Sequence, residues 1–517
     1  MGLEEDPETG VEALQAEIDV GVDGVEELED LQIIDTDRDE QQYLAELQNK
    51  ILDRLAETLA RFKSDPKARN SFDAKHVSSA MMVVYRKDER VKILCSKNEG
   101  LDTEDRDFLR DWKDCMETIA RRGAASEENE TNMFNLVFRH QRPRIMRYLE
   151  LLKLAFQAKK STAYHRSKES ALLVESQLES QPFLKTRSWI DDNGFEFTIP
   201  TNLLAQDDDV SETIATGESL ENADIGVSDL FEKVHKLCAE KSQRSQEILL
   251  KQVMRNTFDL WKGWRTRSAI KAYLHRYFGE SRKQKKEAEK VLLFLCKIYY
   301  GAHIFIEAAE KLPAFKYIQC VPIQYQASGP NKDTSSGQTT LLEVANSLGV
   351  TVQQPSWIGY LKREGTRFKT LLEEKRRKPH VHAEIQVLHH HDVLSSSDER
   401  RHTHPYVGCS RRCCLLCYFF ILAYGGFGVR GTHQTIMHRW EIPENNVVSK
   451  AHAITTFRSA TERLLDAVKS ILRELFKMAF PISQSELLAQ SSDALSSART
   501  ILEKESAQLE KSHLELE

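Results

Sequence analysis

The sequence lacks any apolar run long enough to cross a membrane, for which about eighteen residues would be needed. The longest candidate, LLCYFFILAY at 415–424, is too short and is followed by two glycines. The first residues, MGLEEDPETG, also lack the basic and then apolar regions of a signal peptide. We therefore expect an intracellular protein, cytoplasmic or nuclear, with no membrane partner.

Cysteine is scarce outside one short stretch. The chain of 517 residues has nine cysteines, and four of them lie within VGCSRRCCLLCYFF at 407–420. An intracellular compartment keeps thiols reduced, so a cluster this tight favours metal binding or catalysis over disulfide bonds. The question raised by this stretch is which of the four cysteines carry a function.

Basic residues are nearly absent from the first forty positions. Residues 1–40 contain sixteen Asp or Glu and a single base, Arg38, whereas the whole chain has a net charge of −7. The segment has few aromatic residues and little periodicity, which is typical of a disordered acidic tail. The remainder of the chain is net positive.

The following region, 41–312, contains no chemical motif. In YLAELQNKILDRLAETLARF at 43–62, apolar residues recur at steps of three and four, which predicts an amphipathic helix, and similar segments follow. One interruption, FLKTRSWIDDNGFEFTIP at 183–200, has Asn-Gly between apolar arms and predicts a β-hairpin. We expect a mostly α-helical region whose protein partner the sequence does not identify.

Strand and helix patterns alternate from 313 to 450. FKYIQCVPIQYQ at 315–326 has the composition of a strand, and VHAEIQVLHHHDVL at 381–394 has that of a helix. This alternation predicts an α/β domain with a central sheet flanked by helices. With the helical region before it and a helical, polar tail at 451–517, the predicted fold class is α+β overall.

The window 380–438 concentrates metal-binding side chains. It holds nine of the seventeen histidines together with the four clustered cysteines. Cys414 and Cys417 are three residues apart and share a helical face, so both thiolates can bind one tetrahedral ion. His382 offers a third ligand, and Glu384 places a carboxylate beside the ion. Two thiolates and one imidazole balance Zn²⁺ and leave its fourth position for water.

The pair H-x-E and C-x-x-C is the signature of zinc-dependent nucleobase deaminases. HAEIQVL followed by VGCSRRCCLLCYFF resembles the predicted nucleic-acid or nucleotide deaminases that are expanded in fungi, within the cytidine deaminase-like superfamily. The resemblance covers about 315–445. It implies a Zn²⁺ cofactor bound by His382, Cys414 and Cys417, and Glu384 as the catalytic residue.

Two features depart from the family pattern or leave an alternative open. The superfamily commonly has Pro before the first cysteine of the pair, whereas this chain has Cys413. Cys413 and Cys417, four apart, could also share a helical face, although C-x-x-C spacing favours Cys414. We expect Cys409 to end a buried strand, and the run 389–391 to form an exposed helix end.

The function implied is hydrolytic deamination of a cytosine- or adenine-containing nucleotide or nucleic acid, with zinc-bound hydroxide as nucleophile and Glu384 as proton shuttle. From Lys362 to Arg412 there are twelve Lys or Arg and seven Asp or Glu, a balance that could attract phosphates. The alternative is a helical scaffold carrying an inactive module with structural zinc. Domains of this superfamily often assemble, so a homo-oligomer is also possible.

Overall fold

The structure is a computed structural model of the chain. It describes residues 40–61, 77–163, 188–190, 196–198, 218–279, 281–324, 381–434, 436–437, 440–443 and 453–477. The described residues fall into two compact units. One unit takes its residues from 40–144 and 300–477, and the other from 145–299.

The described strands form one five-stranded sheet and one two-stranded sheet. The strands are β1 (Ser78–Tyr85), β2 (Arg90–Lys97), β3 (Ser188–Ile190), β4 (Glu196–Thr198), β5 (Tyr317–Pro322), β6 (Tyr406–Cys409) and β7 (Gly428–Val429). The larger sheet has the order β5-β2-β1-β6-β7. Strand β1 is antiparallel to both of its neighbours, whereas the β2–β5 and β6–β7 pairs are parallel. The sheet is therefore mixed.

Most of the described chain is helical. The helices are α1 (Glu40–Leu59), α2 (Thr103–Arg122), α3 (Glu127–His140), α4 (Arg142–Ala163), α5 (Glu218–Ala239), α6 (Gln243–Trp261), α7 (Trp264–Phe278), α8 (Arg282–Lys311), α9 (Ala383–Leu394), α10 (Ser397–Arg401), α11 (Leu415–Tyr424) and α12 (Ala453–Lys477). Together with the mixed sheet, they confirm the α+β fold class.

Strands β1 and β2 are a hairpin that the sequence analysis did not predict. Their residues, SSAMMVVY and RVKILCSK, are rich in β-branched and apolar side chains, and both strands are largely buried. Glu89 makes the turn with a positive φ of 47°. The sheet thus takes strands from both sides of position 313. The domain boundaries predicted from the sequence stay predictions.

Helices cover both faces of the five-stranded sheet. Helix α1 packs on β1 and β6 at one face. On the other face, Met81 of β1 and Val407 of β6 join an apolar core with residues of α9, α11 and α12. Because β6 alternates, Val407 and Cys409 face that core while Tyr406 and Gly408 face α1. The last residue of β6, Cys409, therefore directs its side chain towards the core formed with α9, α11 and α12.

Helix α1 fixes the end of β6. A Cβ atom at position 408 would lie 2.4 Å from the backbone carbon of Leu52, so only glycine fits there. Next to this contact, buried Asp53 accepts hydrogen bonds from the Tyr406 hydroxyl (2.8 Å) and the Cys409 N–H (2.9 Å). Burial raises the pKa of Asp53 to about 6, against the opposing charge of Arg430. Helix α1 thus sets the position of Cys409.

The unit formed by 145–299 is built mainly from helices. The Phe231 ring of α5 stacks on the Tyr273 ring of α7 at a centroid distance of 3.8 Å. In the predicted hairpin segment 183–200, β3 and β4 pair as antiparallel strands.

Helix α8 is the one helix in the described ranges that is long and apolar enough to cross a membrane, although Lys297 divides its sequence into shorter uncharged runs. However, 72% of its most apolar window is buried inside the protein, as in the core helix of a soluble protein. The cytoplasmic or nuclear location inferred from the sequence stays a prediction.

The histidine run at the end of α9 is less exposed than the sequence analysis expected. His389 and His390 are partly buried and His391 is buried, so the expectation of an exposed end was wrong for His391. The Nε2 atom of His391 lies 2.8 Å from the Thr403 hydroxyl, and its Nδ1 has no hydrogen-bond partner among the described residues. Burial, followed by the charge of Arg400, lowers the pKa of His391 to about 4. This histidine is a neutral core residue.

Acidification should destabilise the protein through His391. The unfolded chain takes up a proton near pH 6.5 whereas the folded chain does so only near pH 4, so stability present above pH 6.5 is lost as the pH falls. We expect a loss of about 2 kcal/mol between pH 7 and pH 5 from this group. His391→Gln, measured by urea denaturation at both pH values, should show a smaller loss than wild type. An exposed-site control, His402→Gln, should retain the wild-type loss; equal losses in all three proteins would contradict the assignment.

Candidate metal centre

His382 and Glu384 lie at the beginning of α9. His382 is the N-cap residue with extended backbone (φ −69°, ψ 151°), and its ring makes no capping hydrogen bond within the described structure. The helix N-terminus is held instead by Asn98, which caps it, and by Ser96 of β2. The Asn98 side-chain oxygen accepts the Ala383 N–H at 2.6 Å, and the Ser96 hydroxyl donates to the Ala383 carbonyl at 2.7 Å. The His382 ring is therefore available to bind elsewhere.

Cys414 and Cys417 lie at the beginning of α11. Cys414 is the N-cap residue, and its sulfur accepts the backbone N–H of Cys417 at 3.4 Å. Cys417 lies one turn into the helix, so both sulfurs are near its N-terminus, where the helix dipole stabilises a thiolate. The preceding residue, Cys413, donates its N–H to the Gly431 carbonyl at 2.9 Å, which fixes the loop that leads into the helix.

The two helix N-termini meet, and their side chains have the separation of ligands around one ion. His382 Nδ1 is 3.5 Å from the Cys414 sulfur and 3.4 Å from the Cys417 sulfur. Bonds of about 2.0–2.1 Å to nitrogen and about 2.3 Å to sulfur at a tetrahedral angle place these atoms about 3.6 Å apart. All three ligand atoms lie within 4.8 Å of one another, and all three residues are buried. The geometry fits a tetrahedral metal ion.

The protonation of these side chains also suits a metal. A hydrogen bond with Cys417 lowers the pKa of Cys414, while burial raises the pKa of Cys417. Burial alone would lower the pKa of His382, but the hydrogen bond to Cys414 and the charges of Cys414 and Glu384 together outweigh it, so the net shift is upward. These shifts favour a thiolate at Cys414 and a thiol at Cys417, and a bound cation would displace the remaining protons of the group.

Glu384 is the acidic neighbour of the group. Its carboxylate Oε2 lies 3.7 Å from the Cys417 sulfur, and only 1% of the residue is exposed. Burial raises the pKa of the Glu384 carboxyl, with the charge of His382 opposing the shift and that of Cys414 adding to it. A carboxyl whose pKa is raised above its ordinary value holds a proton more readily, which suits a group that accepts and releases one.

Trp440 is a contact of the site that lies outside both motifs. Its indole N–H donates to the Cys417 sulfur at 3.2 Å, and the ring is buried. A hydrogen bond donated to a metal-binding sulfur orients that sulfur and reduces its negative charge density. Trp440 lies 23 positions beyond Cys417, and neither motif points to it.

Asn98 and Ser96 were also missed by the sequence analysis. Both act through the backbone of Ala383, between the predicted ligand His382 and Glu384. Their separation from Ala383 is 285 and 287 positions, so no local pattern could reveal them. The roles predicted for His382, Glu384, Cys414 and Cys417 stay predictions, although the structure brings all four together.

The other two cysteines lie beside the first group. Cys409 ends β6 and is buried, as the sequence analysis expected. Its sulfur lies 3.6 Å from that of Cys413. Glu384, Cys409 and Cys413 form a second cluster whose ligand atoms lie within 4.8 Å of one another. Cys413 thus groups with Cys409 rather than with His382 and Cys417.

Loss of the Asn98 cap should weaken metal binding without removing a ligand. Asn98→Ala leaves the Ala383 N–H without its acceptor, which frees the turn that holds His382, and affinity should fall about 10–100-fold. Competition with a chromophoric chelator measures it. Asn98→Asp retains an acceptor oxygen and should lose less. Wild-type affinity in Asn98→Ala, with the fold retained by circular dichroism, would contradict this role.

The comparison with known families agrees with this geometry. Residues 381–444 match the family described as OTT_1508_deam-like deaminase. The matched segment contains His382, Glu384 and all four clustered cysteines. No curated protein and no solved structure matches the chain. Residues 381–444 are therefore a deaminase-family segment, with a candidate metal site of one histidine and two cysteines.

Proposed function

We propose that the chain is a zinc-dependent hydrolytic deaminase acting on a cytosine- or adenine-containing nucleotide or nucleic acid. The observation that carries the proposal is the convergence of His382, Cys414 and Cys417 with the Glu384 carboxyl 3.7 Å from the Cys417 sulfur. A metal-ligand set next to a buried carboxyl is the arrangement that hydrolytic deamination uses.

The donor set favours zinc among the common metals. Two sulfurs and an imidazole are soft or borderline ligands, which suit Zn²⁺ and not Mg²⁺ or Ca²⁺. Three protein ligands leave one position free, as in catalytic zinc sites. When bound, the ion would act as a Lewis acid that lowers the pKa of water to about 7.

Within this proposal Glu384 moves the protons. The carboxyl would take one proton from the attacking water and pass it to the ring nitrogen, and would then move the proton of the added hydroxyl to the leaving amine, so that ammonia departs and a carbonyl replaces the amine. Burial raises the pKa of Glu384, which favours its temporary protonation. Burial keeps the carboxyl away from bulk water, so the proton stays in the site. Asn98 and Ser96 hold the turn between His382 and Glu384 and thereby keep the carboxyl beside the ligand sulfurs.

The substrate class rests on the charge of the sequence around the motifs and on the family resemblance. The net positive balance between Lys362 and Arg412 favours a phosphate-bearing substrate over a free base. Assembly into a homo-oligomer belongs to the same proposal.

Replacement of the proton carrier separates chemistry from metal binding. Glu384→Gln should retain the zinc bound by His382, Cys414 and Cys417 and lose turnover by at least about 100-fold, because an amide cannot carry the proton. Mass spectrometry of nucleotides and single-stranded oligonucleotides containing cytosine or adenine measures the conversion. Glu462→Gln, at an exposed carboxylate of α12, is the matched control. Wild-type turnover in Glu384→Gln would refute the assigned role.

A helical scaffold with structural zinc is the second candidate, because Glu384 lies 3.7 Å from the Cys417 sulfur and belongs to the cluster with Cys409 and Cys413, so a fourth protein ligand is close to the group. Cobalt substitution separates the two functions. A spectrum of three protein ligands plus an exchangeable water supports the deaminase, and a closed set of four protein ligands supports the scaffold.

A further inference from the structure

The second cluster consists of Glu384, Cys409 and Cys413 and has no assigned role. All three residues are buried, and their ligand atoms lie within 4.8 Å of one another. They come from three separate places in the fold, which are the first turn of α9, the end of β6 and the loop before α11. Tertiary structure, not local spacing alone, therefore creates this cluster.

The sulfur separation matches a shared ion. Two thiolates bound to one tetrahedral zinc at about 2.3 Å each would lie about 3.8 Å apart. The sulfurs of Cys409 and Cys413 are 3.6 Å apart. The first group fits the same criterion with its nitrogen–sulfur distances of 3.5 and 3.4 Å.

Hydrogen bonds hold the backbone of Cys413 and contact the sulfur of Cys409. The Cys413 carbonyl accepts from the His433 N–H (3.0 Å) and the Thr432 hydroxyl (2.9 Å). The Ser79 hydroxyl approaches the Cys409 sulfur as a donor at 3.8 Å, which would support a thiolate. In its protonated form the Cys409 thiol points to the Val407 carbonyl at 3.4 Å. Metal binding would release that proton.

We propose that Glu384, Cys409 and Cys413 bind a second divalent metal ion of thiophilic character, such as Zn²⁺ or Cd²⁺, beside the first. The two thiolates favour a thiophilic ion and exclude Mg²⁺ and Ca²⁺, which require oxygen ligands. Glu384 is the common member, since it also lies 3.7 Å from Cys417 of the first group.

A second ion has a consequence for catalysis, which rests on the proposed function. A carboxylate bound to metal no longer carries a proton, so occupancy of the second site would stop turnover while the first site stays loaded. The module would then be active with one ion and inhibited at higher concentrations of a thiophilic metal. Binding of the second ion to Glu384 would therefore regulate the activity of the module.

Cadmium titration of the reduced full-length protein, after removal of bound metal, tests the site directly. The thiolate-to-cadmium absorption band reports each ion, and elemental analysis after dialysis gives the stoichiometry. We expect two ions in wild type and one in Cys409→Ser/Cys413→Ser. The matched variant Cys414→Ser/Cys417→Ser should lose the ion of the first site instead. Glu384→Gln should keep both sulfur pairs but weaken the second ion at least about tenfold.

The outcomes separate the two proposals. A single ion in wild type, with an unchanged titration in Cys409→Ser/Cys413→Ser, would overturn the second site and leave the first intact. A disulfide between Cys409 and Cys413 in protein purified with reductant would also overturn it. Failure of the proposed function gives a different result, which is no ion lost in Cys414→Ser/Cys417→Ser or no turnover at any metal concentration.

Discussion

The contact between α1 and β6 is the constraint on which the site depends. The Leu52 backbone lies so close to Gly408 that no side chain can stand between them, and Asp53 then binds the neighbouring Cys409 N–H. Strand β6 leads directly into the loop that carries Cys413 and Cys414. The position and direction of that loop are therefore set by α1, a helix more than 340 positions earlier in the chain. The two motifs supply the predicted ligands, whereas α1 determines the position in space of the strand end that precedes the C-x-x-C motif.

The site itself is a meeting of two helix N-termini over the end of a sheet. In each helix the residue at the N-cap position is a predicted ligand, His382 in α9 and Cys414 in α11. A ligand at an N-cap is held by backbone geometry rather than by a long side chain, so little conformational entropy is lost when a metal binds. The partial positive charges of both helix ends also favour anionic ligands there.

The sequence was sufficient for the parts of this arrangement that are local. Spacing identified the H-x-E and C-x-x-C pairs, and composition indicated an α+β fold with a strand near β5. It was insufficient for β1 and β2, whose apolar runs resemble buried helix segments as much as strands. The sequence could not identify the roles of Asn98 and Asp53, for a different reason. Their partners are set by tertiary packing, which one sequence does not encode in any short pattern.

The contact between Trp440 and Cys417 gives the protein an optical property. An indole whose N–H lies 3.2 Å from a sulfur experiences a different electric field when that sulfur is a thiol, a thiolate or a metal ligand. Of the six tryptophans in the chain, this one is thereby tied to the state of the centre. Its emission is a natural reporter of occupancy, without any added dye.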